Sequence, residues 1–304
     1  MSHQLHAGPT EASPRVRFSP LARRHLIQKV AFALLWLAGG SAVAALLAVV
    51  GYVLVQGIGA INVDFFLSPP RGGLAGEGGI STTIITTVYL VLLTLCVATP
   101  LGVGAGVFLV EYTGEMQGQS GLIPRLVALA RFGVETLAGV PSIIFGLFGY
   151  ALFVSALGFG FSLLSAGLAG ACLILPVVIR TTEEALLAVP RSYREASLAL
   201  GTTQWQTVSG VVLPAALPGI MTGVVLSVGR IVSETAVFYV TLGGSSRAPT
   251  SLFHSGRTMA LHVFYLATET NAFQKAMATG TVLIVSIMLI NAVINYLTGR
   301  FTVR

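Results

Sequence analysis

Charge is what this sequence has least of. Only 9% of its 304 residues are Asp, Glu, Lys or Arg, where soluble domains carry about 25%. A water-facing globular core is therefore excluded. Lysine is nearly missing: Lys29 and Lys275 are the only two, and neither follows a glycine in a G-x-x-x-x-G-K-[ST] phosphate loop. The chain thus holds no recognisable machinery for ATP hydrolysis and is expected not to be an enzyme. Energy for uphill work would enter from a partner or an ion gradient. The two cysteines, Cys96 and Cys172, lie inside apolar runs and read as small packing residues rather than a disulfide. His254 and His262 stand eight residues apart with no metal-ligand spacing around them, so no metal site is expected. No cleavable leader is expected either, because the first thirty residues are polar and the next apolar run is too long for one. No internal repeat of 20–50 residues is visible, and no inverted repeat of the secondary-transporter kind.

What fills the chain instead is apolar: 54% hydrophobic residues and a mean hydropathy of +0.85. A helix needs about 20 apolar residues to cross the hydrocarbon. Runs of that size predict six spans at about 30–56, 80–110, 132–157, 160–180, 212–242 and 274–299. The third and fourth are separated by a hinge at Leu157-Gly158-Phe159-Gly160. The expected fold class is all-α transmembrane, a six-helix polytopic bundle, preceded by a cytoplasmic disordered tail over 1–25. Pro100, Pro141, Pro176, Pro214 and Pro218 should kink or end helices. Gly219-x-x-x-Gly223 is a small-residue pair of the kind that lets membrane helices approach. In the connection between the last two spans, MALHVFYLATET (residues 259–270) reads as a short re-entrant or interfacial helix.

Cationic flanks orient membrane helices. With the N-terminus inside, the inner segments hold Arg15, Arg17, Arg23, Arg24, Lys29, Arg125, Arg131, Arg180, Arg191, Arg194, Arg300 and Arg304. The outer segments hold only Arg71, Arg247, Arg257 and Lys275. This asymmetry predicts a multi-pass protein of the plasma (inner) membrane with both termini cytoplasmic. The net charge of +6 then belongs to lipid flanks, and no nucleic-acid partner is expected.

One polar stretch breaks the apolar pattern, RTTEEALLAVPRSYREASLALGTTQWQTVSGVVLP from Arg180 to Pro214. It is long, helix-forming and amphipathic, with Gly201 between two short helical runs. Two helices kept on one aqueous face offer a handle to something on that side. The alternative is an amphipathic helix lying on lipid. Within 181–214, Arg194 precedes Glu195-Ala196-Ser197, and Gly201, Leu213 and Pro214 complete the EAA-x3-G-x9-I-x-L-P spacing. This pattern resembles the coupling loop of permease subunits in type I ABC importers, whose fold is MetI-like. Three further stretches resemble the PstA permeases of phosphate importers: Thr136 to Gly149, Arg180 to Leu186, and Gly229 to Ala236. Ser233 departs from the glycine common in that family. The resemblance implies a sister permease (PstC-like), a PstB-like ATPase dimer binding ATP and Mg, and a PstS-like phosphate-binding protein outside. It implies no cofactor in this chain.

The charges in the fifth span carry the cargo question. Arg230 lies 16 residues beyond Pro214, about 24 Å along a helix and so near mid-membrane. A central Arg costs about 2.5–3.5 kcal/mol. Glu234 follows at i+4 on the expected helix face, so the two either pair structurally or serve an anion in transit. A guanidinium matches phosphate oxygens with a rigid fork of donors. Arg180, with Glu183 and Glu184 behind it, is either a flanking anchor or a guide at the inner exit. The resemblance assigns Arg230, Glu234, Arg180 and Glu183 to the path of inorganic phosphate. The rivals are a permease for another oxyanion or small solute, and an ion-coupled secondary transporter working alone.

Overall fold

A computed structural model describes residues 20–71, 76–113 and 121–302. The expected tail therefore lies mostly outside the described residues. Within them the chain is helical, and the only β-type pairing is an isolated bridge between Pro70 and Gly78. Two units separate at Tyr52 and Val53. The first contains most of helix α1 (Pro20–Ile58). Its Leu35, Trp36 and Leu37 are exposed, as expected for a helix that is apolar on every side and meant for lipid or another protein.

After the last residues of α1 the second unit continues with a short helix α2 (Val63–Leu67), whose first turn is capped by Asn62 accepting from the Phe65 N–H at 2.8 Å. Helix α3 (Ser81–Val107) runs into a wider π-helical turn at Phe108–Tyr112. Helix α4 (Leu122–Ala138) is followed by α5 (Ser142–Gly149) and a second π-helical stretch, Tyr150–Ala156. Helix α6 spans Leu163–Leu187. Two short helices, α7 (Arg191–Ala199) and α8 (Gln204–Thr207), lead through a third π-helical turn (Val208–Val212) into α9 (Leu213–Ser233). Helices α10 (Ala236–Thr241), α11 (Met259–Thr268) and α12 (Phe273–Thr302) complete the chain.

Helix α6 is the axis of this unit. Ala166, Ala169, Leu173, Ile174, Val178 and Leu186 are all buried, because neighbours cover it on several sides. Lipid tails are as apolar as leucine, so membrane helices gain from close packing rather than from escaping water. Glycines supply that closeness. A Cβ on Gly102 or Gly106 of α3 would lie 2.7–2.8 Å from the Val178 or Thr182 side chain of α6. On α9, Gly219 and Gly223 approach Ala185 and Thr181 in the same way, so the predicted small-residue pair is a real contact. Several buried hydroxyls are satisfied by carbonyls of their own helices, as a membrane interior requires. Thr87 donates to the Thr83 carbonyl at 2.7 Å and Ser227 to the Gly223 carbonyl at 2.9 Å.

Three expected spans have a different shape from the sequence reading. The third is a bent pair, with α4 and the α5 segment at 111° to one another. Pro141 has no N–H and disfavours helical geometry at Val140, so the chain turns at Gly139–Pro141. The fourth does not end at Arg180 but continues seven residues to Leu187, so the polar stretch begins inside a helix. The fifth breaks at Glu234, whose backbone is extended (ψ 130°). Among the described residues, five helices are long and apolar enough to cross a membrane, and six if the bent pair counts as one. Helix α11 (Met259–Thr268) stands where the sequence predicts a short helix over 259–270.

The unit has two distinct ends. At one, Leu163 N–H bonds the His254 carbonyl, Ser162 N–H the Thr241 carbonyl, and the Thr82 hydroxyl the Ser246 carbonyl. At the other, the exits of α3 and α6 meet α7 and α8. Gly106→Val should force α3 off α6 and cost about 1–3 kcal/mol, read as a lower melting temperature or abundance in the membrane. Gly104→Val, which faces open space, should leave both unchanged.

Candidate functional site

Helices α7 and α8 form an elbow. Gly201 sits at its bend with φ +81°, a left-handed geometry that glycine adopts without strain. Beyond it, Thr203 and Gln206 form a reciprocal capping box that starts α8. Inside the bend three hydroxyls close a triangle: Ser197, Thr202 and Thr207 lie 2.9–3.0 Å from one another. Ser197, the third residue of the EAA-type signature, is buried by this contact. Glu195 and Ala196 point outward and are exposed. Leu200 is 86% and Trp205 64% exposed, leaving apolar side chains uncovered on a polar element, as a docking surface requires. Leu213 packs against the buried cluster of Leu186, Val189 and Val212 at the elbow's root, with Pro214 opening α9 beside it.

Arg194 fastens the elbow to the bundle. Its guanidinium grips Glu111 bidentately, with Nε at 3.1 and 3.2 Å and Nη2 at 2.6 Å from the carboxylate oxygens. It also donates to the carbonyls of Val189 and Leu186 at 2.9 Å, satisfying the open C-terminal end of α6. The sequence reading had placed Arg194 in the loop but missed its partner. Glu111 is a lone carboxylate 83 positions away, and no periodicity links the two.

Next to this anchor lies a charged cleft of about 460 Å³, lined by Arg131, Arg180, Glu183, Glu184 and Arg191. Arg180 stands 3.6 Å from both Glu135 and Glu183 and 3.8 Å from Glu184. The Glu183 side chain is 6% exposed and faces Arg131 at 3.8 Å, yet its Oε1 has no hydrogen-bond partner. Arg180 and Glu183 are thus brought together, as the sequence suggested, and Arg131 and Glu135 join them from α4.

Arg230 and Glu234 are not brought together. The expected i+4 pair fails because α9 ends at Ser233. Glu234 turns instead to the start of α10, accepting from the Ala236 and Val237 N–H groups at 3.0 and 3.3 Å. A carboxylate that caps the following helix competes with continuation of the preceding one. Arg230 is exposed on α9, with no side-chain hydrogen bond or ion pair among the described residues. Since Gly223 lies against Thr181, Arg230 sits seven residues, about 10 Å, beyond the depth of Arg180. The two arginines occupy separate levels.

The model of the binding-protein-dependent transport system inner membrane component family matches residues 122–304. Phosphate transport system permease protein PstA 1 of Mycobacterium tuberculosis (strain H37Rv) is 34% identical over 285 residues, covering 91% of this chain and 89% of its own. The chain belongs to this permease family. A probable ABC transporter permease protein of Bacillus subtilis, YqgI, is 30% identical over 90% of this chain and 96% of its own. Among solved structures, a bacterial alginate ABC transporter superposes with TM-score 0.61 at 14% identity, over 93% of this chain and 95% of that one. The inward-facing MetNI methionine transporter gives 0.56 at 21% identity, over 73% and 94%. These two likenesses establish the MetI-like fold alone.

A permease of this family is a multi-pass membrane component, not an enzyme, and the end of this chain opposite the elbow carries another cluster that the sequence did not reveal. Arg257 donates to the Gly244 carbonyl at 2.6 and 2.9 Å and lies 4.2 Å over the Tyr265 ring. His262 is buried beside it, with Nδ1 3.4 Å from Arg257. Burial first, then the charges of Arg257 and Lys275, lowers its pKa from 6.5 to about 4. His262 is therefore neutral when folded but protonates near 6.5 when unfolded, so stability should fall as pH drops from 6.5 towards 4. Melting temperatures across that range should show the loss, and His262→Gln should flatten it. At the elbow, Gly201→Ala meets no clash but keeps a left-handed φ, costing about 1–2 kcal/mol. Hydrogen exchange at Leu200 to Thr203 should quicken by roughly tenfold or more.

Proposed function

We propose that this chain is the permease subunit of an ATP-driven importer of inorganic phosphate, forming half of the translocation path beside a sister permease. The observation that carries the reading is the Arg230 guanidinium, exposed on a membrane helix and unpaired among the described residues. Leaving a charge uncompensated at that depth is costly unless it faces water, substrate or another chain. Leu226 and Thr222, one and two turns before Arg230 on the same face of the helix, are exposed as well, consistent with a second permease completing the path on this side. Phosphate suits an arginine because its oxygens take the parallel N–H donors of the fork. The identity to phosphate transport permeases along most of the chain favours this cargo over other oxyanions.

Arg180 and its carboxylates form a second station, nearer the elbow. Glu135, Glu183 and Glu184 neutralise the arginine when no anion is present, so that arriving phosphate must compete for it and is not trapped. Glu234 has a different task from the one its spacing suggested: it holds the break that ends α9 just after Arg230. The arginine-rich end, with elbow and charged cleft, faces the cytoplasm by the asymmetry of cationic flanks. There Leu200 and Trp205 enter a cleft of an ATPase dimer (PstB-like), which binds ATP and Mg. The opposite end receives phosphate from a PstS-like binding protein, and the sister chain is PstC-like.

Arg230→Gln should abolish phosphate uptake while the complex still assembles at normal abundance. Uptake by reconstituted vesicles, with sulfate and molybdate offered in parallel, checks both the residue and the cargo. Normal phosphate uptake by this variant would reject the assignment of Arg230, and a preference for another oxyanion would reject phosphate.

A further inference from the structure

We propose that Glu111 is the positioning residue that receives the elbow's motion and delivers it to the paired helices α3 and α6. The inference rests on the reading of α7–α8 as the element an ATPase moves. Both arms of the elbow hold this one residue. From α7, Arg194 takes the Glu111 carboxylate in a bidentate grip; from α8, the Gln204 amide donates to the Glu111 carbonyl at 2.7 Å. The side chain of Glu111 is 7% exposed, so this grip is sheltered from water and stronger than a surface ion pair. An elbow fixed at one arm would pivot about its contact. Fixed at both arms, it can only carry Glu111 with it.

What lies behind Glu111 suits a receiver. The residue sits in the π-helical turn Phe108–Tyr112 that ends α3. Arg131 of α4 donates to the Leu109 carbonyl in that turn and also faces Glu183 of α6. Immediately upstream, Gly106 and Gly102 press α3 against Thr182 and Val178 of α6. The Arg194 guanidinium binds the Leu186 carbonyl of α6 and the Val189 carbonyl just beyond it at the same time. A displacement of the elbow therefore reaches α3 through Glu111 and α6 through Leu186 and Val189, and the glycine contacts make the two helices move together. The Arg180 station rides on α6, so it is reached as well.

The test uses the intact importer complex, with Cys96→Ser and Cys172→Ser to clear native thiols. Spin labels go on Ser192→Cys in α7 and Leu101→Cys in α3, both exposed. With Glu111 intact, the label distance should be the same without nucleotide and with ATP trapped. With Glu111→Gln it should broaden and change between the two states. In vesicles the phosphate taken up per ATP hydrolysed should fall roughly tenfold or more, the loss of a charged hydrogen-bonded contact. Should Glu111→Gln fail to accumulate, Gln204→Ala cuts the exposed tether and should move both readouts in the same direction by less. An unchanged distance and an unchanged uptake ratio in the variants would overturn the proposal, as would a nucleotide-dependent distance with Glu111 intact. The distance needs no transported solute, so a complex that carries something other than phosphate refutes the cargo while still deciding the role of Glu111.

Discussion

Close backbone approach along α6 is the constraint on which the rest of this molecule depends. Helices in lipid gain little from hiding apolar surface from one another, because the surroundings are equally apolar. They hold together by contact at short range, and four glycines on α3 and α9 remove the Cβ atoms that would prevent it. Gly102 and Gly106 fit α3 to Val178 and Thr182, while Gly219 and Gly223 fit α9 to Ala185 and Thr181. The result is a stiff three-helix frame. It fixes the depth of Arg230 relative to Arg180, and it gives the elbow something rigid to act on.

That frame also explains the distribution of charge. Where α6 leaves the packed region, carboxylates and arginines from α4, α6, α7 and the turn after α3 neutralise one another at 2.6–3.8 Å. Where α9 passes deep beside α6, the Arg230 guanidinium has no ion pair or side-chain hydrogen bond among the described residues. The first arrangement is self-sufficient and the second is incomplete.

The sequence revealed the parts governed by composition and local spacing. Apolar runs marked the membrane helices, cationic flanks suggested an orientation, and the EAA-type spacing located the elbow with Gly201 at its bend, where φ is +81°. It failed where a local competitor or a distant partner decided the outcome. Arg230 and Glu234 have helical spacing, but the Glu234 carboxylate prefers the N–H groups of Ala236 and Val237, and nothing in a four-residue interval discloses that choice. Helix α6 outran its predicted end because Glu183 and Glu184 read as loop polarity, whereas the structure pairs them with Arg131 and Arg180. Glu111 went unnoticed since only folding brings it to Arg194.

The π-helical turns flanking the elbow, Phe108–Tyr112 and Val208–Val212, carry a mechanical consequence. Each such turn accommodates one surplus residue within an otherwise regular helix. Passing that surplus along the chain exchanges carbonyl partners one at a time, without opening a gap in the ladder. Every residue the surplus passes swivels by about 100° about the helix axis. The turn before α9 can therefore swivel the residues that lead out of the elbow while the elbow stays clamped, as far as Pro214, whose missing N–H ends the exchange.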